Sequence, residues 1–223
     1  MKNYFSNYIK NAVYLIVFAG YVAAFAGSYE DFFVAIKRDD AAQVRQLLGR
    51  GFDPNTTDPK GQNGLYLALQ EPSPKVAQVL AEFPKTNVNM LNAQGESVLM
   101  IAALKGNVEA AASLLKRDAD VNKTGWAPLH YAATGGSLPI LGLLLDNHAY
   151  IDAESPNGST PLMMAAMYGT PEAVKLLVDA GADPLLKNQQ GLTAIDFARR
   201  ASRTESVDLL ATAIRRKQAT GKW

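Results

Sequence analysis

Apolar positions along this chain fall in short helical stripes, two to a unit, with polar turns between them. After Thr160, the residues Leu162, Ala165 and Ala166 make one narrow apolar face at the i, i+3, i+4 spacing of a helix. Thr160 is suited to cap that helix and Pro161 to its first position. Gly169-Thr170-Pro171 closes the first helix and opens a second. The second is predicted from Glu172 to about Asp179, with Val174, Leu176 and Leu177 apolar. Gly181 then stands where a left-handed helix cap is expected.

The same pattern recurs. Five segments share one form: Gly61-Gln-Asn-Gly-Leu-Tyr-Leu-Ala, Gly95-Glu-Ser-Val-Leu-Met-Ile-Ala, Gly125-Trp-Ala-Pro-Leu-His-Tyr-Ala, Gly158-Ser-Thr-Pro-Leu-Met-Met-Ala and Gly191-Leu-Thr-Ala-Ile-Asp-Phe-Ala. Their glycines are 34, 30, 33 and 33 residues apart. Second halves repeat too, as Val44-Arg-Gln-Leu-Leu before Gly51 and Val174-Lys-Leu-Leu before Gly181. Each unit reads as turn, helix, turn, helix, turn. The cap position holds Gly51, Asp118, His148 and Gly181. Glycine takes positive φ freely, and Asp and His tolerate it better than most residues. Phe83-Pro84-Lys85 departs from this rule, so a different exit turn is expected in the second repeat.

These units resemble ankyrin repeats, whose hallmark is G-x-T-P-L-H-x-A-A, then a V-x-x-L-L helix and G-A-D-x-N. Gly125 to Ala133 and Gly158 to Ala166 match it best. The resemblance implies an all-α solenoid of about six stacked helix-turn-helix repeats, with finger-like loops along one side and first helices lining a concave face. It divides the chain into an N-terminal capping repeat at 27–60, four central repeats at 61–188, a C-terminal capping repeat at 189–217 and a tail at 218–223. Asp196 stands at the usual His position of the last repeat and is followed by Arg199-Arg200, a polar turn that suits a cap facing water.

The resemblance also implies where a partner protein would touch: the finger tips, the residue after each turn glycine, and the two residues ending each first helix. Carried onto this chain, the post-glycine residues are Gln62, Glu96, Trp126, Ser159 and Leu192. The helix-end pairs are Gln70-Glu71, Leu104-Lys105, Thr134-Gly135, Met167-Tyr168 and Arg199-Arg200. Partner contacts are expected at Trp126, Tyr168, Met167, Leu104, Lys105, Thr134, Leu192, Glu96 and Ser159, several of them apolar or aromatic at positions expected to be exposed. The spacing of 30 before Gly125 shortens one finger by about three residues, because only Lys123 and Thr124 separate Asn122 from Gly125. Trp126, beside this notch, either fills the gap or accepts a partner segment there.

The first 26 residues read differently. Lys2 and Lys10 form a basic start, an apolar stretch runs from Ala12 to about Ala26, and Ala24-Phe25-Ala26 gives a small-x-small cleavage site. These are the parts of a secretory signal peptide, cut between Ala26 and Gly27. The alternative is an uncleaved anchor, although the apolar stretch is shorter than the ~20 residues that span a bilayer. Export to a bacterial periplasm is expected. The sequons at Asn55, Asn122 and Asn157 coincide with repeat turns, where Asn, Gly and Thr are favoured on structural grounds.

Composition excludes more than it assigns. The chain has no cysteine, which removes disulfides, zinc–thiolate sites and cysteine nucleophiles. A net charge of +1 gives no global basic excess for nucleic acid. The two histidines, His130 and His148, fall on repeat positions, and no metal-binding, phosphate-binding or nucleophile motif is present. The expectation is therefore no enzyme, no catalytic or metal residues, no cofactor and no small-molecule substrate, but a monomeric binder of another protein. From Arg199 to Trp223 there are seven basic residues and two acidic ones. That end is either a solvated cap or a point of weak contact with anionic lipid headgroups or an acidic partner.

Overall fold

A computed structural model describes residues 27–220; the signal segment, including Ala26, and the final residues lie outside the described part. Among the described residues twelve helices follow one another in six antiparallel pairs. The first pair is α1 (27–37) and α2 (Ala41–Gly49). The second and third are α3 (Gly64–Gln70) with α4 (Pro74–Glu82), and α5 (Val98–Lys105) with α6 (Val108–Leu115). The fourth and fifth are α7 (Pro128–Gly135) with α8 (Leu138–Asp146), and α9 (Pro161–Tyr168) with α10 (Pro171–Asp179). The last is α11 (Ala194–Arg200) with α12 (Thr204–Thr220). The fold is the all-α repeat solenoid that the pattern predicts. The helix expected from Glu172 starts one residue earlier, at Pro171, which needs no N–H in the first turn. At the other end α12 runs through Thr220, three residues past 217.

Helix caps follow the sequence closely. Asn63, Ser97, Thr160 and Thr170 each accept a hydrogen bond from the backbone N–H three residues on, satisfying a donor that the helix itself leaves free. At the exits of the second helices, Gly51, Asp118, His148 and Gly181 have φ of 91°, 59°, 64° and 103°. The second repeat exits by another route, with Phe83 extended. There Arg117 of the next repeat supplies the missing donors: its guanidinium donates to the carbonyls of Ala81 (2.8 Å), Pro84 (3.0 Å) and Thr86 (2.8 Å).

Side-chain size sets the curvature. Ala102, Ala103, Ala132, Ala133, Ala165 and Ala166 are fully buried. They let α5, α7, α9 and α11 lie against one another more closely than the second helices do. A stack drawn in on one side bends toward it, so the first helices and fingers form the concave face. The second helices contribute Val76, Leu80, Leu114, Leu141, Leu144, Val174 and Leu177 to a core that runs through all repeats. No single pair could bury such a face alone.

The fingers are hairpin turns. Four of them carry the same pair of cross-turn bonds: Asp58 N–H to the Gln62 carbonyl and Gly61 N–H to Asp58, and the equivalents at 92/96/95, 155/159/158 and 188/192/191. The loop at 122–126 has neither bond. Its three missing residues are those that would form the turn, so the finger between the third and fourth repeats is short, as the glycine spacing predicts.

Candidate functional site

The concave face holds most, not all, of the residues that the sequence places there. Trp126 is 36% exposed and packs edge-on against His130, with ring centroids 5.3 Å apart. Tyr168 is 56% exposed at the end of α9, and Leu104 is 36% exposed at the end of α5. Lys105 is exposed, whereas Met167 and Leu192 are half-buried. Thr134 is half-buried too, and its hydroxyl donates to the His130 carbonyl at 2.8 Å. Gly27, at the expected cleavage point, is exposed.

Ser159 is a correction. It is fully buried and offers nothing to a partner. Its N–H donates to Ser155 Oγ at 3.0 Å, its carbonyl accepts from His130 Nε2 at 3.0 Å, and its hydroxyl accepts from Asn188 Nδ2 at 3.3 Å. The next finger closes over this position and takes up its polar groups.

Glu96 is also committed internally. Its carboxylate accepts from Tyr66 (2.9 Å), Asn92 (2.8 Å) and Tyr131 (2.9 Å), joining the second, third and fourth repeats. Burial acts to raise its pKa, but the donors from Asn92, Tyr131 and Tyr66 outweigh it and hold the group below the ordinary glutamate range. The two phenols are pushed upward, first by burial and then by the Glu96 charge. This cluster stiffens the concave face more than it presents it.

His130 joins repeats in the same way. Its Nδ1 accepts the Ala127 N–H at 3.1 Å and its Nε2 faces the Ser159 carbonyl at 3.0 Å. Both bonds are met together only by the neutral ring with its proton on Nε2. Burial lowers its pKa against the opposing pull of those backbone groups. In the last repeat Asp196 takes over the capping half, accepting from the Thr193 N–H (2.9 Å) and hydroxyl (2.7 Å).

The notch has more around it than Trp126. An open groove of about 650 Å³ lies beside it, lined by Thr124, Gly125, Pro156, Gly158, Lys187 and Gln189 among others. Tyr150 is 69% exposed, and its N–H donates to Asn122 Oδ1 at 2.8 Å, at the base of the short finger. In other repeats that position carries Asp53, Asn87 or Asp183, whose side chains bond the N–H two residues on. Tyr150 gives up that turn for an exposed ring. The sequence signal was available: it is the aromatic residue in a column of Asp and Asn.

The sequence model of ankyrin repeats matches three times, over residues 32–125, 84–155 and 129–219. This chain belongs to the ankyrin repeat family. Among relatives, the B-cell lymphoma 3 protein homolog of Mus musculus is 34% identical over 163 residues, covering 70% of this ankyrin-repeat chain and 36% of that protein. Human transient receptor potential cation channel subfamily A member 1 is 32% identical over 166 residues, covering 69% of this chain and 15% of that protein. The ankyrin-repeat chain thus spans little more than a third of the first relative and less of the second. It is also similar to a chain in the structure of a predatory endopeptidase from Bdellovibrio bacteriovorus in complex with an immunity protein, with TM-score 0.69 and 27% identity, over 82% of this chain and 97% of that one. As an ankyrin-repeat array it is a scaffold for protein–protein interaction.

A ladder of side chains that the sequence reading left aside holds its fingers in register. Asn55, Asn89 and Asn122 each accept from a backbone N–H of the following repeat, at Asn87, Asp120 and Tyr150, and each donates back to a carbonyl, at Lys85, Asp118 and His148. Asp152 continues the row by accepting from the Asp183 N–H. The short finger keeps its rung, so its base is as firmly set as the others and only its tip is missing.

Proposed function

We propose that this chain is a non-enzymatic scaffold, exported to the bacterial periplasm, that holds a partner protein on its concave face and finger loops. The observation that carries the reading is the set of exposed aromatic and apolar side chains at Trp126, Tyr168 and Leu104. All lie on the face of first helices and fingers, and Trp126 stands where the finger row is interrupted. Aromatic anchors on an otherwise polar surface are the usual centres of binding energy. The likeness to a chain from an endopeptidase–immunity protein complex supports a partner of that class, an exported peptidase held in check by the scaffold. The signal-like start at residues 1–26 supports export.

The alternative, a factor held to the membrane by its N-terminus or basic end, has less behind it. Two of the cations at that end are already committed: Arg203 donates to the carbonyls of Gly169 and Tyr168, and Lys217 pairs with Asp183.

A photo-crosslinking residue at Trp126 or Tyr168 in living cells tests the reading. Discrete adducts are expected from both sites, with none from Lys175 on α10, and the recovered chain should begin at Gly27. Equal labelling at all three positions would discard the concave-face assignment.

A further inference from the structure

Four successive first helices end in a row on the concave side: Leu104-Lys105, Thr134-Gly135, Met167-Tyr168 and Arg199-Arg200. The row dips at its second step. A Cβ on Gly135 would stand 2.6 Å from the Leu104 carbonyl oxygen, so close packing of α7 on α5 keeps a side chain out of that place. Thr134 is turned onto its own helix through the His130 carbonyl. The result is a shallow seat with a floor of Thr134, Gly135 and Gly136, walled by Leu104 on one side and Tyr168 on the other, both exposed.

Charge brackets this seat. Lys105 is exposed at one end, and Arg199 and Arg200 are exposed at the other. Arg199 has Asp196 at 3.7 Å and Arg200 acts on the same carboxylate, both arginines remaining exposed, as is Lys105. Cations at helix C-termini can simply offset the helix dipole. Among the four helices of the row, α5 and α11 carry such cations, while α7 and α9 carry none in their last turns. The basic groups flank these four helix ends, and the preceding first helix, α3, ends at the exposed acid Glu71. Besides Glu71 and Asp196, the acids Glu109 and Glu172 begin second helices, beyond the turns.

We infer that this row receives an extended acidic segment of the partner, with an apolar side chain at its middle seated between Leu104 and Tyr168 and carboxylates at either end meeting Lys105 and Arg200. Repeats stack about 10 Å apart, so the two cationic ends are about 30 Å apart, and a strand at ~3.3 Å per residue spans them in about nine residues. The inference rests on the proposed scaffold function and names the chemistry of what is bound.

The test uses the exported form of the whole chain and a labelled peptide, Glu-Asp-Ser-Gly-Leu-Ser-Gly-Asp-Glu, followed by fluorescence anisotropy at low salt. Its comparison peptides have lysine in place of every acid, or alanine in place of leucine. The acidic peptide is expected to bind at least about tenfold tighter than either. Tyr168→Ala should weaken it about tenfold. Lys105→Glu with Arg200→Glu, both at exposed sites that leave the melting curve unchanged, should abolish binding and transfer preference to the lysine peptide. Equal binding of acidic and basic peptides, or saturation by neither below about 1 mM, overturns the inference. So does sedimentation with phosphatidylglycerol vesicles that is lost in the double variant while the peptides stay undiscriminated, which would assign the cations to lipid. If the peptide fails while crosslinks at Trp126 persist in cells, the inference falls and the scaffold reading stands; if both fail, the scaffold reading falls with it.

Discussion

Gly169→Ala is expected to lower the stability of the array by about 3 kcal/mol, at the upper end of overpacking costs. A Cβ at this position would lie 2.4 Å from the Ala133 carbonyl oxygen and 2.9 Å from the Ala165 Cα. Both are backbone atoms of packed helices, so no rotamer change relieves the contact. The backbone here is extended, with φ −78° and ψ −153°, so the demand for glycine is one of space and not of conformation. Alanine would push α9 away from α7 at a point of close backbone approach. Arg203, which donates to the Gly169 carbonyl, would lose its partner geometry too. In urea unfolding the midpoint should fall, and thermally the drop should be about 6–12 °C for a domain of this size. Gly142, whose added Cβ would meet nothing within 4 Å, is the control; alanine there should be neutral or mildly stabilising. A wild-type melt for Gly169→Ala would mean that first-helix spacing does not limit the fold.

His130→Ala is expected to cost about 3 kcal/mol. The side chain is 1% exposed, and its loss leaves a buried Ala127 N–H and a buried Ser159 carbonyl without their partners, each costing about 1–3 kcal/mol, together with a cavity. The variant should also change the pH dependence. Burial depresses the folded pKa of His130 below its ordinary value of 6.5. Between those two values the unfolded chain carries more protons, so stability rises with pH across the window. The contribution is complete above about pH 6.5 and is lost as pH falls through the lowered folded value. Protonation puts a hydrogen on Nδ1, where the Ala127 N–H must be accepted. Urea midpoints measured from pH 7.5 down to pH 4.5 should fall in the wild type, and this part of the slope should vanish in His130→Ala. An unchanged slope would show that His130 does not titrate against the fold.

These two positions show what sequence does and does not disclose. The histidine was visible as a member of a repeated motif and the glycine as the close of a first helix, and the repeat pattern carried the helix order, the caps at Gly51, Asp118, His148 and Gly181, and the short finger. It did so because each depends on residues within one unit. Ser159 was misplaced because its burial depends on Asn188, one repeat away. Arg117 belongs to no motif, yet it closes the irregular exit of the repeat before it. Glu96 likewise met its phenols only across the stack. Bonds between repeats join residues about one period apart, and a single sequence does not show which polar groups find each other there. Tyr150 is the reverse case. Its departure from a column of Asp and Asn was legible, but its exposure at the base of the notch appears only in three dimensions.

The central claim is that the concave face, between the short finger and the first-helix ends, is where a partner sits. Hydrogen exchange on the purified complex with the crosslinked partner tests it directly. Slowed exchange is expected at 122–131, 164–170 and 197–201, with the second helix α10 unchanged between free and bound forms. Protection confined to α8, α10 and α12, with the segments around Trp126 and Tyr168 exchanging as in the free chain, would contradict the account.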